Sequence, residues 1–372
     1  MITIIIATKD RPELIYRFLN YLVSVDYRHS IVIGDSSVDS FQAKMKEVVM
    51  AFGGKLSIKY LDCKGAGVIE CHRHLLGAIS TPYVVCISDG SFLVPQSLEK
   101  CVDFLERNPD YSIAHGRGAL FTLTGEGPYG KIDQVDIYPL PIQEEESAVQ
   151  RLSKYLKNYT VTMYCVYRSE IWKKAWQSSF TIKDRAFAGE LLPGCLTVVY
   201  GKAKELDCLY MMRHMHSRRV IFPNIDDWIG SEHWQSSYQS FCNVLAEALV
   251  QKDGIAIDKA KEVIKEVFWD YVKRGIDLQN TNGKGNNQWG KRAKHILKRI
   301  PAIRKTARVI KSVAVSSKNI AWPSLLRKGS FYHADFMPIY EIVKEPSDFG
   351  KNLLTPLLSV NNSEARSLVS KT

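Results

Sequence analysis

The stretch Ile2-Thr3-Ile4-Ile5-Ile6-Ala7-Thr8-Lys9-Asp10-Arg11-Pro12 places four isoleucines in six positions and then breaks into a polar turn. A short β-branched apolar run bounded in this way reads as a strand buried on both faces. Pro12 suits the first turn of the helix that follows, where its missing N–H costs nothing, and Leu14, Phe18, Leu19 and Leu22 give that helix an apolar stripe. The same unit recurs downstream. Ile31–Gly34 reads as a second strand ending at Asp35-Ser36-Ser37, with a helix over Phe41–Phe52. Leu56–Leu61 reads as a third strand, with a helix over Val68–Ile79, and Tyr83–Ile87 as a fourth, ending at Ser88-Asp89-Gly90-Ser91.

Strands alternating with helices of about ten residues imply right-handed crossovers and a parallel sheet. The expected fold class is therefore α/β, a mixed and mainly parallel sheet flanked by helices. In such sheets ligands sit at the carboxyl ends of the strands, and Thr8–Arg11, Asp35–Ser37 and Ser88–Ser91 all fall there. Further on, Tyr111 to about Gly130 suits strands and loops, Glu144–Lys157 a helix, Thr160–Tyr167 a strand and Ile171–Trp176 the start of a helix. Ala188–Tyr200 carries apolar residues at helical spacing behind Glu190, and Trp234–Val272 reads as one or two amphipathic helices.

The 372 residues, 45% hydrophobic and 24% charged, describe a globular protein rather than a disordered chain. The eight cysteines are scattered without a C-x-x-C pair, which favours a reducing compartment and argues against a zinc site. The apolar start lacks a basic leader and stops at Thr8, and no run approaches the ~20 apolar residues that span a bilayer. A cytoplasmic location is the expectation. The net charge of +11 calls for an anionic partner, with a nucleotide, a nucleic acid and an acidic membrane all open on charge alone.

Two constellations carry chemistry. Thr8, Lys9 and Arg11 at one strand end face Asp35 at the next; the carboxylate can accept from a base or ribose, and Arg11 can pair with phosphate. Asp89-Gly90-Ser91 offers a carboxylate for a divalent ion beside a glycine that permits close approach. Loop polarity, helix capping and a plain turn explain the same residues without chemistry. No G-x-G-x-x-G follows the first strand, which removes a Rossmann dinucleotide site.

Taken in order, Ile4–Pro12, Val32–Ser37 and Tyr83–Phe92 resemble the nucleotide-binding elements of family 2 glycosyltransferases with the GT-A fold. Ala114–Arg117, Gly189–Pro193 and Leu206–His216 resemble a bacterial polysaccharide-biosynthesis subgroup of that family, and the similarity covers about residues 1–275. The resemblance implies a nucleotide diphosphate sugar as donor and a polysaccharide or lipid-linked glycan as acceptor. It implies that Thr8, Lys9, Arg11 and Asp35 contact the donor, with Arg73 near its ribose or phosphates. Asp89 matches the first carboxylate of the family's D-x-D motif, and Ser91 stands where the second is expected. Asp89 and His216 would then hold a Mg²⁺ or Mn²⁺ ion, with a neutral hydroxyl replacing a carboxylate in its surroundings. His216 also reads as a surface residue of a basic loop with Arg218 and Arg219. Glu190 matches the general base of an inverting transfer; a glutamate favoured by a helix dipole is its ordinary reading.

The composition turns to Asn and Gly around residues 280–287, so a linker is expected at 276–290, after a catalytic unit of donor half 1–110 and acceptor half 111–275. Residues 291–372 are then a basic helical region. Ala293, Ile296, Ile300, Ile303, Ala307 and Ile310 form a stripe among lysines and arginines, interrupted at Pro301. Such a helix lies in the headgroup plane of an anionic bilayer, which places the protein peripherally on the inner face of the plasma membrane. No nucleic-acid reader motif accompanies it. Two other functions stay open: a nucleotidyltransferase, although Ala7–Pro12 lacks the Gly-rich loop usual there, and a non-catalytic nucleotide-sugar-binding remnant, which Ser91 leaves open.

Overall fold

A computed structural model describes residues 1–218, 224–282, 322–348 and 350–353. Its N-terminal half alternates strand and helix as the apolar runs require. These elements are β1 (Ile2–Thr8), α1 (Pro12–Ser24), β2 (Ser30–Asp35), α2 (Asp39–Phe52), β3 (Ile58–Asp62), α3 (Val68–Ala78) and β4 (Tyr83–Ile87). Ile4, Ile5, Ile6, Val84 and Val85 are wholly buried, which is why both strands are apolar without alternation. The second half adds β5 (Ser91–Leu93), α4 (Pro95–Arg107), β6 (Tyr111–Leu123), β7 (Ile132–Tyr138), α5 (Ala148–Lys157), β8 (Val166–Arg168) and α6 (Ser169–Gln177). A π-helical turn (Phe187–Leu191) leads into α7 (Leu192–Tyr200) and β9 (Lys202–His214). Helices α8 (Ile225–Ile229), α9 (Trp234–Asp253) and α10 (Ile257–Asn282) follow, and α11 (Trp322–Leu325) and α12 (His333–Lys344) close the described chain.

The sheet order is β3-β2-β1-β4-β8-β6-β9-β5, with β7 paired to β6. Strands β3, β2, β1 and β4 run parallel, in register Thr8↔Asp35 and Ile6↔Ile87. The expected α/β class is the one found, and the ends of β1, β2 and β4 lie side by side. Beyond β4 the sheet turns mixed: β8 is antiparallel to β4 and β6, and β9 is parallel to β6.

Four expectations change. The strand expected over Thr160–Tyr167 is confined to Val166–Arg168, because Cys165 N–H donates to the Thr162 carbonyl (3.1 Å) and folds the preceding residues into a turn. The helix expected from Glu144 begins at Ala148, where Ser147 and the carboxylate of Asp253 cap it; Asp253 accepts from Ala148 and Val149 N–H at 2.8 Å each. Helix α10 continues to Asn282, past residue 276 where composition places a linker. The stripe from Ala293 to Ile310 lies outside the described residues. The chain beyond it returns to the body: Leu325, Phe336, Ile339 and Val343 are fully buried, and α12 packs against α1, β7 and β9. Gly130 N–H donates to the Val343 carbonyl (2.8 Å), and the Tyr16 and Ser347 hydroxyls meet at 2.7 Å. Residues 322–348 therefore complete the core rather than extend from it.

One buried histidine sets a pH dependence of stability. His72 stacks on Trp176 at 4.2 Å with rings nearly parallel, its Nδ1 2.8 Å from the Val68 carbonyl, and burial lowers its pKa from 6.5 to about 4. Below pH 6.5 the unfolded chain binds a proton that the native chain refuses, so stability falls as pH drops from 6.5 to about 4. At ~1.4 kcal/mol per pKa unit, the share of His72 is on the order of 3 kcal/mol. Urea unfolding across this window should show the decline, and His72→Phe should make it shallower by that share, the depressed His214 and His216 keeping the rest. An equal slope in the variant would assign the effect to other groups.

Candidate functional site

The adjacent ends of β1 and β4 bring distant residues together. Asp89, two residues past β4, is 2% exposed, and a carboxylate so buried needs partners. Thr8 Oγ1 donates to its Oδ2 at 3.0 Å, and a guanidinium N–H of Arg11 reaches Oδ1 and Oδ2 at 3.3 and 3.1 Å. Asp10 takes the left-handed conformation (φ 56°) that Asp tolerates. Its N–H donates to Ser37 Oγ (2.7 Å) and its Oδ1 accepts from Val38 N–H (2.9 Å), tying the end of β1 to the end of β2. There Asp35 is wholly buried and accepts from Ser37 N–H and the Tyr60 hydroxyl at 2.9 Å each.

Behind this cluster lies Arg17, which the sequence reading leaves unassigned. It is 1% exposed, donates to the Pro128 carbonyl, to the Gly90 carbonyl (3.2 Å) and to His214 Nδ1 (3.3 Å), and its guanidinium lies 5.0 Å from the Phe92 ring centre. Desolvation lowers its pKa to about 10, so it stays charged at neutral pH. Burial and Arg17 push His214 down to about 2, which keeps that ring neutral and able to accept. Glu13, on the same helix, is also buried and pairs with Arg218. Spacing with Leu14 and Phe18 puts both charges on the inner face of α1, the one sequence signal that marks them.

Gly90 has no side chain for a packing reason. A Cβ there would lie 3.0 Å from the ring of His216, which rests directly on the turn. Burial lowers the His216 pKa to about 4; Asp89 pulls upward, and Arg11, Arg17 and Arg213 pull downward. The ring is neutral near pH 7, and its Nδ1 is buried with no hydrogen-bond partner among the described residues. Asp89 and His216 thus offer one carboxylate and one imidazole to a cation. Among the described residues no group of three His, Cys, Asp or Glu is arranged to hold a metal. Ser91 is buried within β5, and its hydroxyl meets that of Ser88 at 2.7 Å.

Strand β5 pairs with β9 so that Ser91 faces Arg213 in register. The Arg213 guanidinium lies 4.9 Å from the Tyr164 ring centre and donates to the Tyr138 hydroxyl (3.2 Å). Burial opposes its charge, but Tyr164, Tyr138 and Glu190 outweigh that and raise its pKa. Glu190 sits in the π-helical turn, which Asp184 starts by accepting from Ala186 and Phe187 N–H at 2.9 and 3.0 Å. Tyr159 donates to Glu190 Oε1 at 2.6 Å, and the residue lines a small cavity with Met163, Trp172 and Trp176. Burial raises its pKa above the ordinary glutamate range, against the lowering influence of Tyr159, Arg213 and Arg185.

The structure therefore joins Thr8, Arg11, Asp89 and His216 into one cluster, and Arg213, opposite Ser91 in the sheet, lies within electrostatic reach of both His216 and Glu190. Asp35, tied to Asp10 through Ser37, and Ser91 lie beside it, and two expected donor contacts stay farther off. Arg73 is half exposed on α3, where it pairs with Glu70 (3.1 Å) and covers the Phe180 ring at 4.6 Å. Lys9 is exposed at the rim.

No protein-family model matches the sequence, and no curated protein matches it. Among solved structures the chain is similar to S. aureus TarS, with 13% identity over 72% of this chain and 42% of that one and a TM-score of 0.47, so it spans less than half of that protein. It is similar to TarS 1-349 in complex with UDP-GlcNAc, with 13% identity over 76% and 74% of the two chains and a TM-score of 0.46. It is also similar to the mannosyltransferase PcManGT from Pyrobaculum calidifontis in complex with GDP-Man and Mn²⁺, with 10% identity over 80% and 79% and a TM-score of 0.37. Likeness of this degree assigns no residue a role.

Proposed function

We propose that this chain transfers a glycosyl group from a nucleoside diphosphate sugar to an acceptor hydroxyl, with inversion at the anomeric carbon. The observation that carries the reading is a buried carboxylate, Glu190, held by Tyr159 (2.6 Å) at a small cavity, with Arg213 within electrostatic reach of it and of the cation-rich cluster at the ends of β1 and β4. The cluster suits a diphosphate, and the carboxylate suits a hydroxyl that must lose its proton. In the reaction the acceptor oxygen attacks the anomeric carbon as the bond to the β-phosphate oxygen breaks, and that electron pair leaves with the diphosphate. The acceptor's proton passes to Glu190. Arg11 and Arg213 stabilise the charge that grows on the leaving group. Asp35 and Tyr60, hydrogen-bonded at the end of β2, face the nucleoside. The acceptor class best suited to this reading is a polysaccharide or lipid-linked glycan.

A divalent ion fits the two donors that flank Gly90. Asp89 and the imidazole of His216, whose Cδ2–Nε2 edge faces Gly90, would hold it, and it would supply neutralisation of the leaving diphosphate. Both Asp89 oxygens already accept from Arg11, and Ser91 adds no carboxylate, so most ligand oxygens must come from the donor. Mg²⁺ or Mn²⁺ should bind weakly in calorimetry without nucleotide and tightly with it. Tight binding by the protein alone would contradict this, and an unchanged rate in excess chelator would assign the neutralisation to Arg11 and Arg213.

The reading is tested by incubating the protein with nucleoside diphosphate sugars and glycan acceptors. Release of nucleoside diphosphate and NMR of the product anomer should show transfer with inversion. Retention would remove Glu190 as base, and pyrophosphate release from nucleoside triphosphates would point to nucleotidyl transfer.

A further inference from the structure

The seven residues joining α11 to α12 form a built projection whose chemistry does not belong to the site above. Leu326 and Phe331 are 42% and 62% exposed, and Arg327 and Lys328 between them are exposed as well. The other large apolar side chains exposed among the described residues lie singly along the chain. Two in one short turn, bracketing two cations, are a different pattern.

The turn is held in place. Gly329 and Tyr332 take left-handed backbone (φ 81° and 70°), a conformation a tyrosine adopts only when its surroundings require it. Ser330 Oγ donates to the Arg327 carbonyl (2.6 Å), and His333 Nδ1 lies 2.7 Å from the Leu325 carbonyl. Below the turn, Leu325 and Phe336 are fully buried, and the Tyr332 hydroxyl donates to Asp207 (2.8 Å). A well-anchored turn that leaves a leucine and a phenylalanine in water has given up burial that the fold offers their neighbours.

We infer that this turn docks on an anionic bilayer, with Leu326 and Phe331 entering the boundary between headgroups and acyl chains and Arg327 and Lys328 at the lipid phosphates. Apolar tips beside cations are the combination an interface rewards, since area burial and headgroup attraction act together. The sequence just before α11 supplies more of the same charge: residues 283–321 hold eleven lysines and arginines and no aspartate or glutamate. A nucleic acid would use the cations but gives Leu326 no apolar partner. No helix among the described residues is long and apolar enough to cross a membrane, so this is attachment at the surface. It does not depend on the proposed sugar transfer.

The test uses full-length protein and vesicles of phosphatidylglycerol and phosphatidylcholine in equal parts, against phosphatidylcholine alone. Co-sedimentation is expected with the anionic vesicles and should weaken as salt rises. Neutralising Arg327 and Lys328 to serine should lower the partition coefficient about thirtyfold, and Leu326→Ser with Phe331→Ser at least about tenfold, with far-UV spectrum and unfolding midpoint unchanged. Because residues 283–321 can add their own attraction, Phe331→Trp supplies a local readout. Its emission should shift to the blue on vesicle binding and be quenched by lipids brominated near the headgroup. Absence of vesicle binding, bound protein with an unshifted and unquenched Trp at position 331, or tighter binding to RNA than to anionic vesicles at equal ionic strength would each overturn the assignment.

Discussion

Glu190→Gln should lower turnover by ~10²–10⁴, the usual worth of a general base, and leave donor affinity nearly unchanged. Glutamine keeps the shape and can still accept from Tyr159, but it cannot take the acceptor's proton. The base works only when ionised, and burial raises its pKa above the ordinary glutamate range. The wild-type rate should therefore fall on acidification at a pH above that range. Tyr159→Phe removes a hydrogen bond that favours the ionised form, so it should move that limb of the profile to higher pH. A folded Glu190→Gln protein with normal turnover would remove Glu190 from the chemistry, and an unmoved limb in Tyr159→Phe would leave Tyr159 with packing alone.

Phe336→Ala should cost ~3–5 kcal/mol of unfolding free energy, the range for deleting a buried phenylalanine side chain. Phe336 is fully buried between Trp322 and Tyr340, with ring centres at 5.6 and 5.7 Å, in a helix that packs against α1 and β9. The urea midpoint should drop with an unchanged slope, since one cooperative core loses stability. Truncation after residue 282 should likewise yield a protein of lower stability, because it uncovers the apolar surface that Leu325, Phe336, Ile339 and Val343 cover. If the main transition of Phe336→Ala matches wild type, the C-terminal segment folds as a separate unit.

The first ninety residues were legible because β1, β2 and β4 are buried and show it as unbroken apolar runs, while the edge strand β3 alternates between half-buried and exposed positions. Tyr83–Ile87 was placed to the residue, and the convergence of Thr8, Asp35 and Asp89 followed from strand order. Residues whose partners are remote were not legible. Arg17 looks like any helix arginine until Pro128 and Gly90 are seen to accept from it, and nothing local announces that pairing. The return of α12 to α1 depends on contacts more than three hundred residues apart, such as Tyr16 with Ser347. At Phe187–Leu191 the apolar spacing suggests one continuous helix, yet the wider π turn there carries Glu190. Arg73 also has partners the sequence does not announce: it pairs with Glu70 and covers the Phe180 ring.

Thermal unfolding of the full-length protein against a panel of nucleoside diphosphates and their sugars tests the proposed donor site most directly. A ligand that binds only the native state adds RT ln(1 + [L]/Kd), ~2.7 kcal/mol at a hundredfold excess over Kd. At least one sugar nucleotide should raise the midpoint, and Asp89→Asn, which removes the charge that holds Thr8 and Arg11 in place and would hold the cation, should lose most of the rise. No shift with any sugar nucleotide on native wild-type protein, or a full shift in folded Asp89→Asn, would contradict a donor site at the ends of β1 and β4.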